Sequence, residues 1–413
     1  MKSLVMAAGL FVAVSSFAQW GDWGGGNNGG FGGPQNGSTV ANAEKTADVN
    51  YVGDGKTYHT LDIYIPKDTE GPYPVVIHTY GSAWSMNNYK GSADLGTICS
   101  AYAKAGYAVV TPNHRSASDA KYPAQLHDIK AVVRFVRGNA AKYKFDTNFV
   151  AVSGFSSGGH LSSLTATTCG LKEGKSGSVT VDLVGDLGEY TSFSSCVDGA
   201  VLWSPPTDIY TMNPISMGGS GTMEGAFIGV EREGNKDKWM VASSPYYASD
   251  DDSPVIMFHG TSDNIVNIEQ SQELYDSLKN HNVVTEFIKV SGGSHGGDKM
   301  NAKENLDKAV AFLDKAREAK AAAAVVTPPD TSAQDTAKTD TVPPGIVYDT
   351  LPDALPLLRS LGADPVTYDV FALDGTLVSR SSVLDKSSLR PGIYYVVTRT
   401  AAGRRDVSRF VKK

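Results

Sequence analysis

Apolar runs recur along most of the chain, separated by stretches with helical periodicity. Leu61-Asp62-Ile63-Tyr64-Ile65 alternates with the period of a strand that keeps one wet face. Residues 73–78 form a continuous apolar run, as expected of a strand buried on both faces. Further runs follow at 107–111, 149–153, 199–203, 255–259 and 286–290. Between them, Leu126, Ile129, Val132, Val133 and Val136 mark one face of a helix that begins near Pro123. Residues 157–168 and 271–279 are also helix-compatible, and 305–320 places Leu306, Val310 and Leu313 on one side. Strands alternating with helices of this length predict right-handed βαβ units and a mostly parallel sheet flanked by helices. The fold class is therefore α/β. Residues 209–247 break the repeat, are rich in Gly, Met and Ser, and fall where such folds insert a cap.

The two ends have another character. Lys2, the apolar stretch 4–14 and Ser16-Phe17-Ala18 have the order of a secretory signal, predicting cleavage after Ala18 and a secreted or cell-surface protein. That apolar stretch is too short to span a bilayer, and no other is long enough. Residues 19–45, dominated by Gly and Asn in their first half, read as a disordered tether. The large α/β domain is expected over 46–324, followed by a linker of Thr, Pro, Asp and Ala over 325–345. Residues 346–413 return to short β-like runs at 367–371, 375–378 and 392–398, split by Asp374-Gly375 and Pro391-Gly392. They predict a small β-sandwich, too small for an active site of its own. With 413 residues and a net charge of −7, the chain has room for one large and one small domain, and lacks a basic footprint for nucleic acid.

The candidate chemistry centres on Gly154-Phe155-Ser156-Ser157-Gly158-Gly159-His160, which lies between a predicted strand and a predicted helix. G-x-S-x-G in that setting is a nucleophile elbow, a sharp turn that pushes the serine hydroxyl out of the sheet. Ser156 is the candidate nucleophile. The partners of such a serine follow it in the order acid, then histidine. Of the eight histidines, only His281 and His295 lie beyond any suitable acid. His281 sits at a helix end, whereas His295 lies in a glycine-rich loop directly after a strand, which suits a base that must approach the serine. Asp263, in the turn after residues 255–259, is the candidate acid; Asp250 to Asp252 precede that strand and fall at the wrong end of the sheet. The oxyanion hole is assigned to the backbone N–H of Ser157 and that of Gly81 or Ser82, in the loop after residues 73–78. Trp84, in the same loop, is a candidate substrate contact. Cys169 and Cys196 flank a Gly- and Ser-rich segment, and spacing alone leaves a bridge and two buried thiols equally open. No Cys or His spacing matches a zinc site, and a Ser-His-Asp site needs no cofactor.

With these residues placed, the chain resembles α/β-hydrolases of the esterase/lipase group, in particular the secreted feruloyl/acetylxylan esterases called BD-FAE-like. The resemblance runs from about Leu61 to Leu313. It rests on Leu61-Asp62-Ile63-Tyr64-Ile65-Pro66, the loop at Gly81, Tyr122-Pro123-Ala124-Gln125 with Asp128, the elbow, Ser244-Pro245, and His259-Gly260 with Asp263. One departure is Tyr80-Gly81-Ser82-Ala83-Trp84, where the group usually carries His-Gly-Gly-Gly-Trp. The resemblance implies an esterase acting on acetyl or feruloyl esters of plant cell-wall polysaccharide such as xylan. The final residues resemble the sorting domains of the type IX secretion system through Asp374-Gly375, Leu389-Arg390-Pro391-Gly392-Ile393-Tyr394 and the end Phe410-Val411-Lys412-Lys413. This implies secretion machinery as a partner; a small carbohydrate-binding module using Tyr348, Tyr394 or Tyr395 is the competing reading.

Other classes fit less well. A general short-chain carboxylesterase shares the site, but a true lipase would carry an apolar lid, and residues 209–247 are mixed. Peptidases of the prolyl-oligopeptidase kind carry a large N-terminal propeller, and only 60 residues precede Leu61. An inactive, binding-only hydrolase relative would have a broken triad, and Ser156, Asp263 and His295 are all in place.

Overall fold

The computed structural model describes residues 39–217 and 221–325, together with four strands between 365 and 412. The predicted signal segment, the predicted tether up to residue 38 and the predicted linker beyond 325 lie outside the described residues. The chain divides into two compact units between Lys320 and Ala321.

In the first unit the strands are β1 (Ala43–Asn50), β2 (Thr60–Pro66), β3 (Tyr73–Thr79), β4 (Ala108–Pro112), β5 (Phe145–Phe155), β6 (Glu173–Ser176), β7 (Val179–Asp182), β8 (Ala200–Trp203), β9 (Val255–Gly260) and β10 (Thr285–Val290). The helices are α1 (Ser100–Lys104), α2 (Ala124–Gly138), α3 (Ala140–Tyr143), α4 (Ser157–Thr167), α5 (Met223–Ile228), α6 (Lys236–Met240), α7 (Glu269–Asn280) and α8 (Lys303–Val325). Eight strands form one sheet in the order β1-β2-β4-β3-β5-β8-β9-β10. The pairs β1–β2 and β2–β4 are antiparallel, and every pair from β4 onward is parallel.

Both faces of this sheet are covered, which is why its central strands read as unbroken apolar runs. Alternate residues of one strand enter opposite cores. Val75, Ile77, Val150 and Val152 pack with Val132 and Val136 of α2 and with Leu274 and Leu278 of α7. Val76, Ala151, Ile256 and Phe258 pack with Tyr102 of α1 and with Ala309, Phe312 and Leu313 of α8.

Two expectations change here. β2 has no wet face: Asp62 and Tyr64 are buried beneath α1 and the residues before it, and Asp62 takes Lys45 at 2.7 Å and Lys90 at 3.1 Å. A buried carboxylate with two ammonium partners looks, in a one-dimensional pattern, like a solvent position. The tether also ends earlier than residue 45, because Val40 is buried and β1 begins at Ala43. β1 is a mostly exposed edge strand carrying Glu44 and Lys45, so it lacks the alternation that marks a half-buried strand.

The predicted helices at 126–136, 157–168, 271–279 and 305–320 are α2, α4, α7 and α8. Asp128 of α2 is fully buried, bonded to Arg115 at 2.7 Å and 3.4 Å from His59, so this part of the motif anchors the loop after β4. Residues 209–247 hold α5 and α6 and contribute Ile209, Phe227, Trp239 and Tyr247 to a third core, shared with Trp84, Leu126 and Leu161.

In the second unit, β11 (Pro365–Ala372), β12 (Leu377–Ser381), β13 (Gly392–Thr400) and β14 (Arg405–Lys412) form an antiparallel sheet in the order β12-β11-β13-β14. Val370 is buried. Among the described residues this unit shows one sheet, and a second layer that would make it a sandwich is not among them.

Candidate active site

Three loops at the C-terminal ends of parallel strands converge on one point. Ser156 joins β5 to α4, Asp263 follows β9, and His295 follows β10. In open α/β sheets this is the end where ligands bind.

Ser156 has φ 53° and ψ −122°, a conformation that side chains other than glycine rarely adopt. Such strain is worth about 1–3 kcal/mol and must be held by its surroundings. Here they do hold it. The Ser156 N–H donates to the Trp203 carbonyl of β8 at 2.9 Å, and the His160 N–H donates to the Ser156 carbonyl at 3.0 Å. The turn also needs its glycines: a Cβ on Gly154 would stand 2.2 Å from the Gly158 carbonyl oxygen, and one on Gly158 would stand 2.1 Å from that of Thr79.

The predicted partners are assembled. His295 Nε2 lies 2.9 Å from Ser156 Oγ, and His295 Nδ1 lies 2.8 Å from Asp263 Oδ2. All three side chains are nearly or fully buried. Asp263 divides its labour between its two oxygens. Oδ1 accepts the N–H groups of Ile265 and Val266 at 2.9 and 3.0 Å, which is an Asx turn, while Oδ2 faces His295. Burial works to raise the Asp263 pKa. Hydrogen bonds from His259 and His295, with their charges, outweigh it and hold the carboxyl well below the usual range. It therefore stays ionised at any working pH. The alternatives set aside are elsewhere: His281 caps α7 and pairs with Asp250 at 2.9 Å on the surface.

The loop after β3 corrects two assignments. Gly81 does lie against the elbow, since a Cβ there would be 2.7 Å from the Phe155 ring and 2.8 Å from Ser156 Cβ. The Ser82 N–H, however, donates to Ser157 Oγ at 2.9 Å, so this amide is spent on bracing the loop and is not the spare donor expected of it. Trp84 is not a substrate contact. It is 1% exposed, stacks on Phe227 at 4.7 Å, and gives its indole N–H to His160 Nδ1 at 3.2 Å. A large aromatic beside an oxyanion loop resembles a binding residue in sequence, but α5 of the insert covers it.

Sequence reasoning passed over two residues that shape the site. Phe155, the first variable residue of the elbow motif, packs its ring against His295 with centroids 4.9 Å apart. His160 donates from Nε2 to the Ala242 carbonyl at 2.7 Å while Nδ1 accepts from Trp84, and burial lowers its pKa to about 4. It is a neutral bracket between loop, helix and insert. The motif named both residues, but only tertiary contacts show what they hold.

Among the described residues no cluster of His, Cys, Asp and Glu could hold a metal ion, and no helix is long and apolar enough to cross a membrane. Cys169 and Cys196 form a disulfide, while Cys99 is a buried thiol.

A mostly parallel sheet flanked by helices, with a serine on a strained elbow facing a histidine and an aspartate, defines an α/β-hydrolase. The BD-FAE family model matches residues 61–278, and the chain belongs to that family. A solved truncated carbohydrate esterase from gut microbiota is 37% identical, with a TM-score of 0.65, and the match covers 70% of this chain and all of that one. A bifunctional GH43-CE from Bacteroides eggerthii is 41% identical, with a TM-score of 0.63, over 66% of this chain and 35% of that one. "Probable carboxylic ester hydrolase LipM" of Mycobacterium tuberculosis is 27% identical over 56% of this chain, which spans 51% of the length of that relative.

Proposed function

We propose that this protein is an exported serine carboxylesterase that removes acetyl or feruloyl groups from plant cell-wall polysaccharide such as xylan. The observation that carries the reading is the unbroken chain of contacts from Ser156 Oγ through His295 to Asp263 on a strained elbow. The carbohydrate substrate class is supported by the two carbohydrate-esterase structures, and export by the N-terminal pattern together with the disulfide, which suits an oxidising compartment. The C-terminal unit serves as the sorting module for the secretion machinery.

The reaction follows from the geometry. Ser156 Oγ attacks the ester carbon as His295 Nε2 takes its proton, and Asp263 stabilises the imidazolium. The N–H groups of Ser157 and Gly81 hold the developing oxyanion. Collapse breaks the bond to the sugar oxygen, which leaves with the proton from His295. Water, deprotonated by His295, then attacks the acyl-enzyme, releasing the free acid and restoring the Ser156 hydroxyl. Ser82 and Ala83, in place of the glycines usual in the group, narrow the acyl side and favour a small group such as acetyl.

The test is acetate release from acetylated xylan, with Ser156→Ala as the blank, since loss of a triad serine lowers turnover by about 10⁶. Release by the wild type alone supports both nucleophile and substrate class. Cleavage of a small aryl acetate without release from xylan or feruloylated xylan overturns the polysaccharide reading. A general short-chain carboxylesterase, the alternative favoured by the relation to LipM, then takes its place.

A further inference from the structure

His259 is the penultimate residue of β9 and is fully buried. Both of its ring nitrogens are engaged. Nδ1 lies 2.7 Å from Ser271 Oγ of α7, and Nε2 lies 2.9 Å from the Val266 carbonyl oxygen and 3.2 Å from Asp263 Oδ2. A carbonyl and a carboxylate only accept, so Nε2 carries the proton; the Ser271 hydroxyl donates to Nδ1 when the ring is neutral. The one Nε2–H thus faces two acceptors, the Val266 carbonyl to which it is hydrogen-bonded and, 3.2 Å away, Asp263 Oδ2, which also pairs with His295 Nδ1.

We infer that His259 is a positioning residue for ester hydrolysis, its Nε2–H holding the Asp263 carboxylate in the rotation that aims Oδ2 at His295 and tempering its basicity. The inference rests on the esterase reading above. With His259 present, part of the Oδ2 charge is neutralised, and the carboxylate pulls less strongly on the His295 proton. The charged groups around His259 are Asp263 and His295, Glu269 at the start of α7, and Lys289, which pairs with it in the register of β9 and β10. Glu269 and Lys289 are exposed, so their influence is screened.

The test compares His259→Leu and His259→Gln with the wild type on a soluble aryl acetate. His259→Leu should lower kcat roughly tenfold with KM little changed. Its acid limb of kcat/KM should move to higher pH by about half a unit or more, because an uncompensated carboxylate keeps His295 protonated longer. His259→Gln, whose amide can donate, should return the limb toward its wild-type position. A folded His259→Leu enzyme with an unmoved limb overturns the inference, because a merely structural role would lower folded yield without shifting it. Should His259→Leu fail to fold, ¹⁵N spectra of the histidines in the wild type and in Asp263→Asn decide: a His259 Nε2 resonance that moves on the substitution supports the contact, and one that stays in place refutes it. Ser156→Ala, run alongside, reports on the parent reading: residual turnover there undoes the triad itself, whatever His259 does.

Discussion

The indole N–H of Trp84 donates to His160 Nδ1 across 3.2 Å, tying the loop after β3 to the helix that starts beside the nucleophile. Trp84→Phe keeps the stack on Phe227 and removes the donor, leaving a buried imidazole nitrogen unpaired. The expected loss is about 1–3 kcal/mol of stability, with KM for a soluble ester unchanged. Urea denaturation and steady-state kinetics check both. A raised KM at unaltered stability would restore Trp84 as a substrate contact.

His160 gives a pH dependence of definite sign. Burial lowers its pKa from 6.5 to about 4. As pH falls through that window the unfolded chain binds a proton that the folded chain refuses, so this contribution to stability is lost, on the order of 3 kcal/mol. Glu224 and Asp252, raised to about 7 by burial, act oppositely, because their folded forms take up protons first. The three overlap in a wild-type curve. His160→Gln, which can still accept from Trp84 and donate to Ala242, isolates one of them. Its stability should fall by about 2–3 kcal/mol less than the wild type's between pH 7 and 4.5, as read by urea midpoints at both pH values.

Gly81→Ala should fold and fail. The added methyl group would meet the Phe155 ring at 2.7 Å, Ser156 Cβ at 2.8 Å and the Phe155 carbonyl at 2.9 Å, so the loop must withdraw from the elbow. Loss of one oxyanion donor lowers kcat by about 10²–10³. Turnover of an aryl acetate, with circular dichroism to confirm folding, is the check. Wild-type kcat would remove Gly81 from the oxyanion hole.

The disulfide between Cys169 and Cys196 spans a sequence separation of 27 and encloses the β6–β7 hairpin. A loop of that length restricts the unfolded chain by about 3.5 kcal/mol in the entropic model. Replacing both cysteines with serine should lower the melting temperature by several degrees and leave triad chemistry intact at low temperature. Equal melting of the two proteins would mean that the bridge does not form in solution.

The pattern along the chain was enough for the order of the buried strands and main helices, and for naming the three residues that the fold brings together. Central strands buried on both faces print as apolar runs, and the elbow and the acid sit at the ends of two of them, whereas β10, ahead of His295, is an edge strand that exposes Glu286 and Lys289. Ser156 could therefore be named from the elbow motif, Asp263 from the run before it, and His295 from the glycine-rich loop that follows β10. Edge and polar elements left no such trace: β1 carries Glu44 and Lys45, and the β6–β7 hairpin carries Lys175 and Thr180, none of which a periodicity registers. The tertiary structure alone decided which polar groups are spent on one another. Whether the Ser82 amide is spare, whether Trp84 is open, and whether Asp263 serves one histidine or two depend on contacts between residues up to 76 positions apart. Such contacts depend on distances and angles in space, which the order of residues along a chain does not carry.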